Sequence, residues 1–414
     1  MTAVLPRQEA GGARSNDMTS DNKRRNYGIL IAAVCFFVYF IGNYMQYQLS
    51  PLAATVMKEL SLNESQYSSI FTANLFPAIF LSLISGLLVD RFGPRITVGL
   101  AVVLAAVGGI GRIFASTYSV MWICMLLSGL GCLFLTSSSA KILFPYFSAA
   151  QLGGVIGIVT AGSNVGMFVA TATTAWFPGT RSAYVFSAVL GILLAVCWFL
   201  FVRKQDAGDA EAIRPAPIRD SLRVCLKNRY VWIAGITMFF FLIAQVVAAG
   251  FLPVALQTVH GMSEKVSGYM TSAFMLGAIA GSAFGPRLLN AVRNRRIYLL
   301  ASILVAGLCI AFSWKLSSPV LLAAVLLIGG AALNQFIPII YAFPVGVKEI
   351  GPTYSATATG LIATIEMIGA TQVPARILTP VFGSNYGGLL ISAGCICLLA
   401  MITINFLPLF GKED

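Results

Sequence analysis

The sequence predicts an all-α membrane protein whose twelve transmembrane helices form two related six-helix bundles. Composition is the first observation behind this prediction: 58% of the 414 residues are hydrophobic and only 10% are charged. A soluble globule of this size needs far more polar surface, so the bilayer is the predicted solvent. The number of long apolar segments and an internal repeat are the second and third observations.

Twelve apolar segments are each long enough for the ~20 helical residues that cross a bilayer. Kinks are expected in two of them, at Asn74 with Pro77 in the second and at Pro338 in the tenth. The segments cover residues 27–56, 66–89, 95–115, 118–146, 149–174, 181–202, 230–257, 264–288, 297–314, 318–346, 353–379 and 384–409.

The polar N-terminal stretch ends in Lys23-Arg24-Arg25. The apolar segment after it is too long for the core of a signal peptide and lacks a small-residue cleavage site, so helix 1 is expected to remain uncleaved. The longest connection, 203–229, is charged, contains two prolines and is the predicted linker between the halves. The predicted organisation is a tail (1–26), a first bundle (27–202), the linker (203–229), a second bundle (230–409) and a short tail (410–414).

The two halves share a repeat with an offset of about 200 residues. It predicts that two homologous bundles face each other across a central cavity and rock to expose that cavity to alternate sides of the membrane. Three sets of residues carry it: Pro51, Ser61 and Tyr67 recur as Pro253, Ser263 and Tyr269; Gly157 and Gly166 as Gly360 and Gly369; Gly129 and Phe144-Pro145 as Gly329 and Phe343-Pro344.

The formal charge of +12 would suggest a nucleic-acid partner in a soluble protein. Here the basic residues lie between apolar segments, so we expect lipid contacts and no nucleic acid. With both termini in the cytoplasm, 20 of the 27 Lys and Arg residues fall on cytoplasmic segments. The positive-inside rule then predicts a multi-pass protein of the plasma (inner) membrane with this orientation.

A charged turn, Gly86-Leu-Leu-Val-Asp-Arg-Phe-Gly-Pro-Arg95, joins the second and third apolar segments. Charged turns are common between membrane helices, but this order of residues also resembles the signature loop of the major facilitator superfamily. The resemblance implies a twelve-helix secondary transporter that works by alternating access. It also implies a conformational latch, carried by Gly86, Asp90, Arg91, Gly93 and Arg95. The equivalent turn in the second half, 285–296, contains no acid.

Other superfamily motifs are altered. Met125 stands where proton-coupled members have an arginine before Gly129, and Ser163 stands where drug antiporters have a proline after Gly162. Both changes disfavour a multidrug exporter. The run 161–166 is similar to helix 5 of monocarboxylate, nitrate and oxalate carriers, but residues 269–286 lack the cation that such carriers often have in helix 8. The subgroup therefore stays open.

Glu366 is the acid that lies inside an apolar segment, at the middle of helix 11. An uncompensated charge there costs at least a few kcal/mol, so the carboxyl must be protonated, paired or hydrated. We interpret it as the proton-coupling residue; the alternative is a structural hydrogen bond to a neighbouring helix. In the repeat it stands opposite Ser163.

Substrate contacts are predicted from cations and neutral polar residues within the helices. A carboxylate substrate would be held by a cation such as Arg112, Lys141 or Arg376, although each of these can instead snorkel to the interface. Neutral polar side chains at mid-depth need a partner, which can be substrate, water or another helix. The predicted substrate-binding residues are Asn43, Tyr47, Arg112, Ser138, Gln245, Asn334 and Gln335.

The predicted function is secondary active transport of a small organic anion, coupled to protons (as symporter or antiporter) or driven by exchange. The alternatives are a carrier of a neutral or zwitterionic metabolite, such as an amino acid or nucleoside, and a non-transporting receptor with the same fold. No catalytic motif, nucleotide loop or metal-ligand spacing occurs in the sequence, so we expect neither an enzyme nor a cofactor or metal. We expect a monomer; substrate identity, flux direction and coupling ion remain open.

Overall fold

The protein is helical throughout the residues that the structure, a computed structural model, describes: 10–147, 149–202 and 218–407. Side chains of 10–24, and of a few helix residues that include Gly86 and Asp90, lie outside the description. The α-helices are α1 (Ala10–Tyr47), α2 (Ala53–Glu59), α3 (Glu64–Thr72), α4 (Phe76–Phe92), α5 (Pro94–Ile113), α6 (Tyr118–Leu143), α7 (Ala149–Thr173), α8 (Thr180–Phe201), α9 (Ile218–Lys227), α10 (Arg229–His260), α11 (Glu264–Ala291), α12 (Arg295–Phe312), α13 (Pro319–Asn334), α14 (Phe336–Ala342), α15 (Gly351–Val373), α16 (Thr379–Phe382) and α17 (Tyr386–Ile404).

In the described part of the chain, eleven helical segments are long and apolar enough to cross a membrane, and they coincide with eleven of the twelve predicted segments. The twelfth, predicted over 66–89, consists of α3 and α4 with a turn at 73–75 between them. Helix 1 also ends earlier than predicted: α1 stops at Tyr47, and a turn over 48–52 precedes α2. The twelve-helix fold is confirmed, with these interruptions.

The break between α3 and α4 has a local cause. Pro77 lies in the first turn of α4 and has no N–H to donate to the Ala73 carbonyl four residues earlier; the Phe76 N–H bonds that carbonyl instead, at 3.2 Å. The Leu75 N–H bonds Thr72 instead of Phe71. The Phe71 carbonyl is left free and accepts a hydrogen bond from the Gln46 amide of α1, at 3.0 Å. The predicted kink at Asn74 and Pro77 is thus confirmed as a full interruption.

The tenth predicted segment breaks in the same way, between α13 and α14 at Gln335. Pro338 cannot donate to the Asn334 carbonyl four residues earlier. That carbonyl accepts from the Ser282 hydroxyl of α11 instead, at 3.2 Å. In both halves a side chain of a neighbouring helix donates to a carbonyl that has no intrahelical donor at the break.

Close helix contacts in both halves depend on glycine. A Cβ at Gly330 of α13 would lie 2.0 Å from the Phe274 carbonyl oxygen of α11, and one at Gly162 of α7 would lie 2.3 Å from the Phe36 carbonyl oxygen of α1. Only a residue without a side chain permits such approaches. These contacts hold the helices of each half together.

The predicted linker is only partly described. Residues 203–217 lie outside the description, but 218–227 form α9, which packs against α15 and α10. The Cys225 thiol lies 3.6 Å from the Tyr354 carbonyl oxygen and donates to it, and the Trp232 indole N–H donates to the Leu226 carbonyl at 2.9 Å. The last part of the predicted linker is therefore an anchored helix that belongs with the second half.

Hydrogen bonds join α1–α8 to α10–α17 at the end of the molecule that carries the connections 48–63, 114–117, 177–179 and 261–263. We call this the closed end. Gln257 donates to the Pro51 carbonyl at 3.1 Å, and the Trp176 indole donates to the Tyr269 hydroxyl at 2.7 Å. Further bonds across this seam are Ser50 to the Ala249 carbonyl, Thr55 to Glu264, Ser65 to the Ala375 carbonyl, Tyr67 to the Gly250 carbonyl and Ser384 to Glu64.

Candidate transport site

Glu366 lies inside the second half and is only 4% exposed. The Tyr341 hydroxyl of α14 donates to its Oε1 at 2.6 Å, while Oε2 is buried without a hydrogen-bond partner among the described residues. Ile362 and Ala370, one helical turn to either side on α15, are fully buried, so this face of the helix points into the protein. The acid does not face acyl chains, and half of its hydrogen-bonding capacity is unused.

Arg112 is the corresponding buried charge of the first half, near the end of α5, and is 1% exposed. Its guanidinium carbon lies 4.3 Å from the centroid of the Tyr184 ring of α8, a cation–π contact. None of its three side-chain nitrogens has a hydrogen-bond partner in the described chain. Gln48 bonds the neighbouring Ala183 carbonyl at 3.0 Å, and its Oε1 is also buried and unpartnered.

The three neutral candidates of the first half contact different elements from Arg112. Asn43 donates to the Tyr39 carbonyl of its own helix at 3.0 Å and approaches the Cys132 sulfur of α6 at 4.0 Å. The Tyr47 ring packs edge-on against Phe71 of α3, with centroids 5.4 Å apart. Ser138 is fully buried and donates to the Phe134 carbonyl of its own helix at 2.6 Å.

In the second half, the three neutral candidates differ in how many of their polar groups are hydrogen-bonded. Gln245 of α10 is buried and makes no side-chain hydrogen bond with a described residue. Asn334 donates to the Gly330 carbonyl at 3.1 Å, and its Oδ1 is buried without a partner. Gln335 accepts from the Tyr298 hydroxyl of α12 at 2.5 Å. Gln335 therefore points into the helix bundle, which leaves Gln245 and Asn334 with unused polar groups.

The latch turn is a single residue, Gly93, between α4 and α5. Its φ of +78° lies in the left-handed region that favours glycine. Arg95 donates to the Phe199 carbonyl of α8 at 3.2 Å, and its own carbonyl accepts from the Trp198 indole at 2.9 Å. Arg91 is exposed and lies over the Phe92 ring. The contacts predicted for Gly86 and Asp90 fall on residues whose side chains are not described.

Sequence reasoning missed the partners of the buried charges. Tyr341 lies seven residues after Asn334, a spacing that could have placed both on one helix face beside helix 11. It also missed Gln46, which is 1% exposed and accepts from the Asn74 amide at 2.9 Å while it donates to Phe71. A glutamine inside an apolar segment, next to a segment broken by proline, was the available signal.

The model of one protein family matches residues 32–374, which is most of the chain. The chain belongs to the Major Facilitator Superfamily. This confirms the family that the Gly86–Arg95 turn predicted. The superfamily and the relatives below are transporters and not enzymes, and the chain is an integral multi-pass membrane protein.

Curated relatives of this superfamily chain are similar over parts of their length. The nitrate/nitrite transporter NrtP of Nostoc punctiforme is 27% identical over 46% of this chain and 39% of its own length. The probable L-galactonate transporter of Escherichia coli K12 is 25% identical over 59% and 57%, and the 4-hydroxybenzoate transporter PcaK of Acinetobacter baylyi is 22% identical over 77% of each. The chain spans about half the length of the first curated relatives that it matches.

Solved structures show the same superfamily fold. The nucleoside transporter NupG (D323A mutant) superposes with a TM-score of 0.74 at 13% identity, over 93% of this chain and 100% of NupG. A bacterial homologue of the human lysosomal transporter Spinster superposes with a TM-score of 0.68 at 14% identity, over 92% and 95%. At these identities the similarity concerns the fold alone.

Proposed function

We propose that this chain is a secondary active transporter that moves a small organic anion across the membrane by alternating access. The names of the relatives support the class of substrate, because nitrate, galactonate, hexuronate and 4-hydroxybenzoate are all anions. The observation that carries the proposal is the buried guanidinium of Arg112, whose three nitrogens lack partners among the described residues. A buried cation without an acid is the group that an anionic solute would satisfy.

The moving units in this proposal are the bundles 27–202 and 230–409. The hydrogen bonds across the closed end support it, since each is a single polar contact that the other conformation can exchange for water. Gln257 to Pro51 and Trp176 to Tyr269 are two such contacts. Net hydrogen-bond contributions of about 0.5–1.5 kcal/mol each are small enough for reversible opening.

The substrate path in this proposal includes polar side chains with unused hydrogen-bonding groups. Tyr47 and Gln245 make no side-chain hydrogen bond with a described residue, and the Oδ1 of Asn334 has no partner there either. Asn43 is partly exposed and can turn towards a solute. Ser138 and Gln335 are engaged elsewhere and would have to exchange their present bonds.

Glu366 is the coupling group in this proposal. Arginine keeps its charge at every physiological pH, whereas a carboxyl group can change its charge. The carboxyl bonds Tyr341 through one oxygen and has the other free for a proton. A cycle in which this group gains and loses a proton as the bundles move would couple solute movement to a proton gradient.

The proposed location is the plasma (inner) membrane with both termini in the cytoplasm, which places the closed end outside. The lysine and arginine distribution supports this orientation. We propose that the monomer is the transporting unit.

Reconstitution in liposomes tests the proposal by screening several classes of solute. The purified chain is placed in liposomes loaded with one unlabelled compound at a time, and counterflow of the labelled compound is measured for small carboxylates, nitrate, amino acids and nucleosides. We expect counterflow with one or more anions. Counterflow only with amino acids or nucleosides would overturn the anion assignment, and ligand-induced thermal stabilisation without flux would overturn transport itself.

A further inference from the structure

A cavity of about 340 Å³ opens at the closed end, at the side of the seam between the halves. Its walls come from α3, the start of α6 and the end of α15 with the π-helical turn Pro374–Leu378 that follows. Among its lining residues are Gln66, Ser69, Trp122, Gln372 and Arg376. Apart from Arg376, one of the three cations considered above for binding a carboxylate substrate, none of these is a candidate residue of the transport site.

The lining is mixed: it contains neutral polar side chains and one cation next to apolar groups. Arg376 lies on the π-helical turn, is exposed, and forms no ion pair within the described residues. Gln66 and Gln372 add amide groups, and the residues that line the cavity include no Asp or Glu. A cation with neutral donors and no acid is suited to bind an anionic group.

Two aromatic residues, Tyr118 and Trp122, line the cavity. The Tyr118 hydroxyl and the Trp122 indole both donate to the Ser69 Oγ, at 3.2 and 3.1 Å. They lie in the first turns of α6, and aromatic residues at helix ends mark the level of the lipid headgroups.

The cavity continues into a surface that suits acyl chains. Phe76 lines it, and Phe80, one turn further along α4, is 63% exposed. On the other wall, Ile377 is 55% exposed next to Arg376. A pocket with a cation and amide groups at headgroup level, next to exposed apolar side chains, matches an amphiphile with an anionic head.

Both halves build the cavity. Ser65 and Gln66 belong to the first half, and Ala375 and Arg376 to the second. The Ser65 hydroxyl donates to the Ala375 carbonyl directly across the seam, and both residues line the cavity. Separation of the halves at the closed end would therefore take this bond and the cavity apart together.

We propose that this cavity binds the phosphate group of an anionic lipid headgroup, or of a soluble phosphate monoester, through Arg376. The ligand binds only in the conformation in which the two halves are joined at the closed end. By linkage, it stabilises that conformation by its binding free energy and slows the opening step. The cavity is thus a regulatory site, separate from the solute path.

Binding is measured on the purified full chain in neutral detergent, as the thermal unfolding midpoint during titration with phosphatidylglycerol or phosphatidylcholine. We expect phosphatidylglycerol to raise the midpoint more than phosphatidylcholine. Arg376→Gln should weaken apparent phosphatidylglycerol binding by about tenfold or more, because a charge-assisted bond is lost. Arg376→Lys should keep part of the affinity.

Arg181→Gln is the matched control, because Arg181 is exposed at the same end of the molecule but does not line the cavity. It should bind phosphatidylglycerol like the unmodified chain. An equal loss of phosphatidylglycerol affinity in Arg376→Gln and Arg181→Gln, or undiminished affinity in Arg376→Gln, would overturn the proposal. A parallel titration with glycerol 3-phosphate separates the two sources: an Arg376-dependent shift there identifies a soluble ligand, and a shift only with the lipid identifies a headgroup. No transport is needed for this readout, so its result is independent of the proposed function.

Discussion

Among the described residues, each half of the molecule buries one ionisable side chain of the acidic or basic type, and the surroundings of the two differ. In the first half Arg112 lies near the closed end, against the ring of Tyr184, with no hydrogen bond to its guanidinium in the described chain. In the second half Glu366 lies in the middle of α15 and accepts a hydrogen bond from Tyr341. The two halves share a fold but do not share the sign, the depth or the partner of the buried charge.

We propose that this difference separates two tasks. Arginine cannot be deprotonated in proteins, so Arg112 offers a permanent cation that can attract an anion but cannot carry a proton. A carboxyl group can bind and release a proton but cannot attract an anion. We therefore propose solute charge recognition for the first half and proton coupling for the second, and four measurements can break or sharpen that proposal.

The largest effect is expected for Glu366→Gln. Glutamine keeps the size of the side chain and an acceptor for Tyr341 but cannot exchange a proton. Accumulation of solute against a gradient should be abolished, while counterflow exchange persists. Glu349→Gln, at an exposed acid before α15, is the control and should accumulate normally. Normal accumulation by Glu366→Gln would remove the acid from the coupling mechanism.

Arg112→Met should lower the initial rate of anion uptake by about tenfold or more, the loss expected for a hydrogen bond between charged partners. Arg112→Lys should keep part of the rate, and Arg181→Met should keep all of it. Thermal stability of Arg112→Met should not fall, because the change removes a desolvated charge together with its cost. If uptake is unchanged in a stable Arg112→Met protein, Arg112 is a structural cation held by Tyr184 alone.

Tyr341→Phe leaves both oxygens of Glu366 without a donor. We expect a loss of about 1–3 kcal/mol in the free energy of unfolding, the cost of leaving a buried acceptor without its hydrogen bond. In a Glu366→Gln background the same change should cost less, and the difference measures the coupling between the two side chains. Equal costs in both backgrounds would show that the Tyr341–Glu366 bond contributes no stability.

The smallest effect is expected at the seam. Gln257→Leu removes the bond to the Pro51 carbonyl and should shift the equilibrium towards opening by about 1 kcal/mol, roughly fivefold. A short amine-reactive cross-linker between the exposed Lys58 and Lys265, on opposite sides of the seam, reports the closed population, and its yield should fall. Thr258→Val is the control, because the Thr258 hydroxyl bonds within its own helix. The same yield in both variants would place the stabilisation of the closed end elsewhere.

Much of the fold was predictable from local sequence. Helix positions follow from apolar length, and two breaks lie beside a proline that removes a backbone donor, Pro77 and Pro338, although α10 and α11 continue through Pro253 and Pro286. The lengths of the broken pieces were not predictable, because they depend on whether another helix offers a donor to the free carbonyl. Gln46 does so for Phe71, and Ser282 does so for Asn334.

The candidate site was predictable in part. Glu366 stands out in the sequence because acids are rare in the bilayer. Its donor, Tyr341, does not stand out, because two residues 25 positions apart meet only when the fold brings the Tyr341 side chain of α14 to α15. Gln335 shows the opposite case: a polar residue predicted to face the solute bonds Tyr298 of α12 instead.

By itself, the sequence determined the membrane environment, the helix count, the family and the intramembrane position of Glu366, because composition, segment length and a local motif act through short-range chemistry and the cost of polar groups in lipid. Only the tertiary structure decided which polar groups of the described chain are left unpartnered, which end of the two halves is joined, and where a cavity with Arg376 opens between them. These depend on the direction in which each helix face points, and that direction is set by packing between segments far apart in the chain.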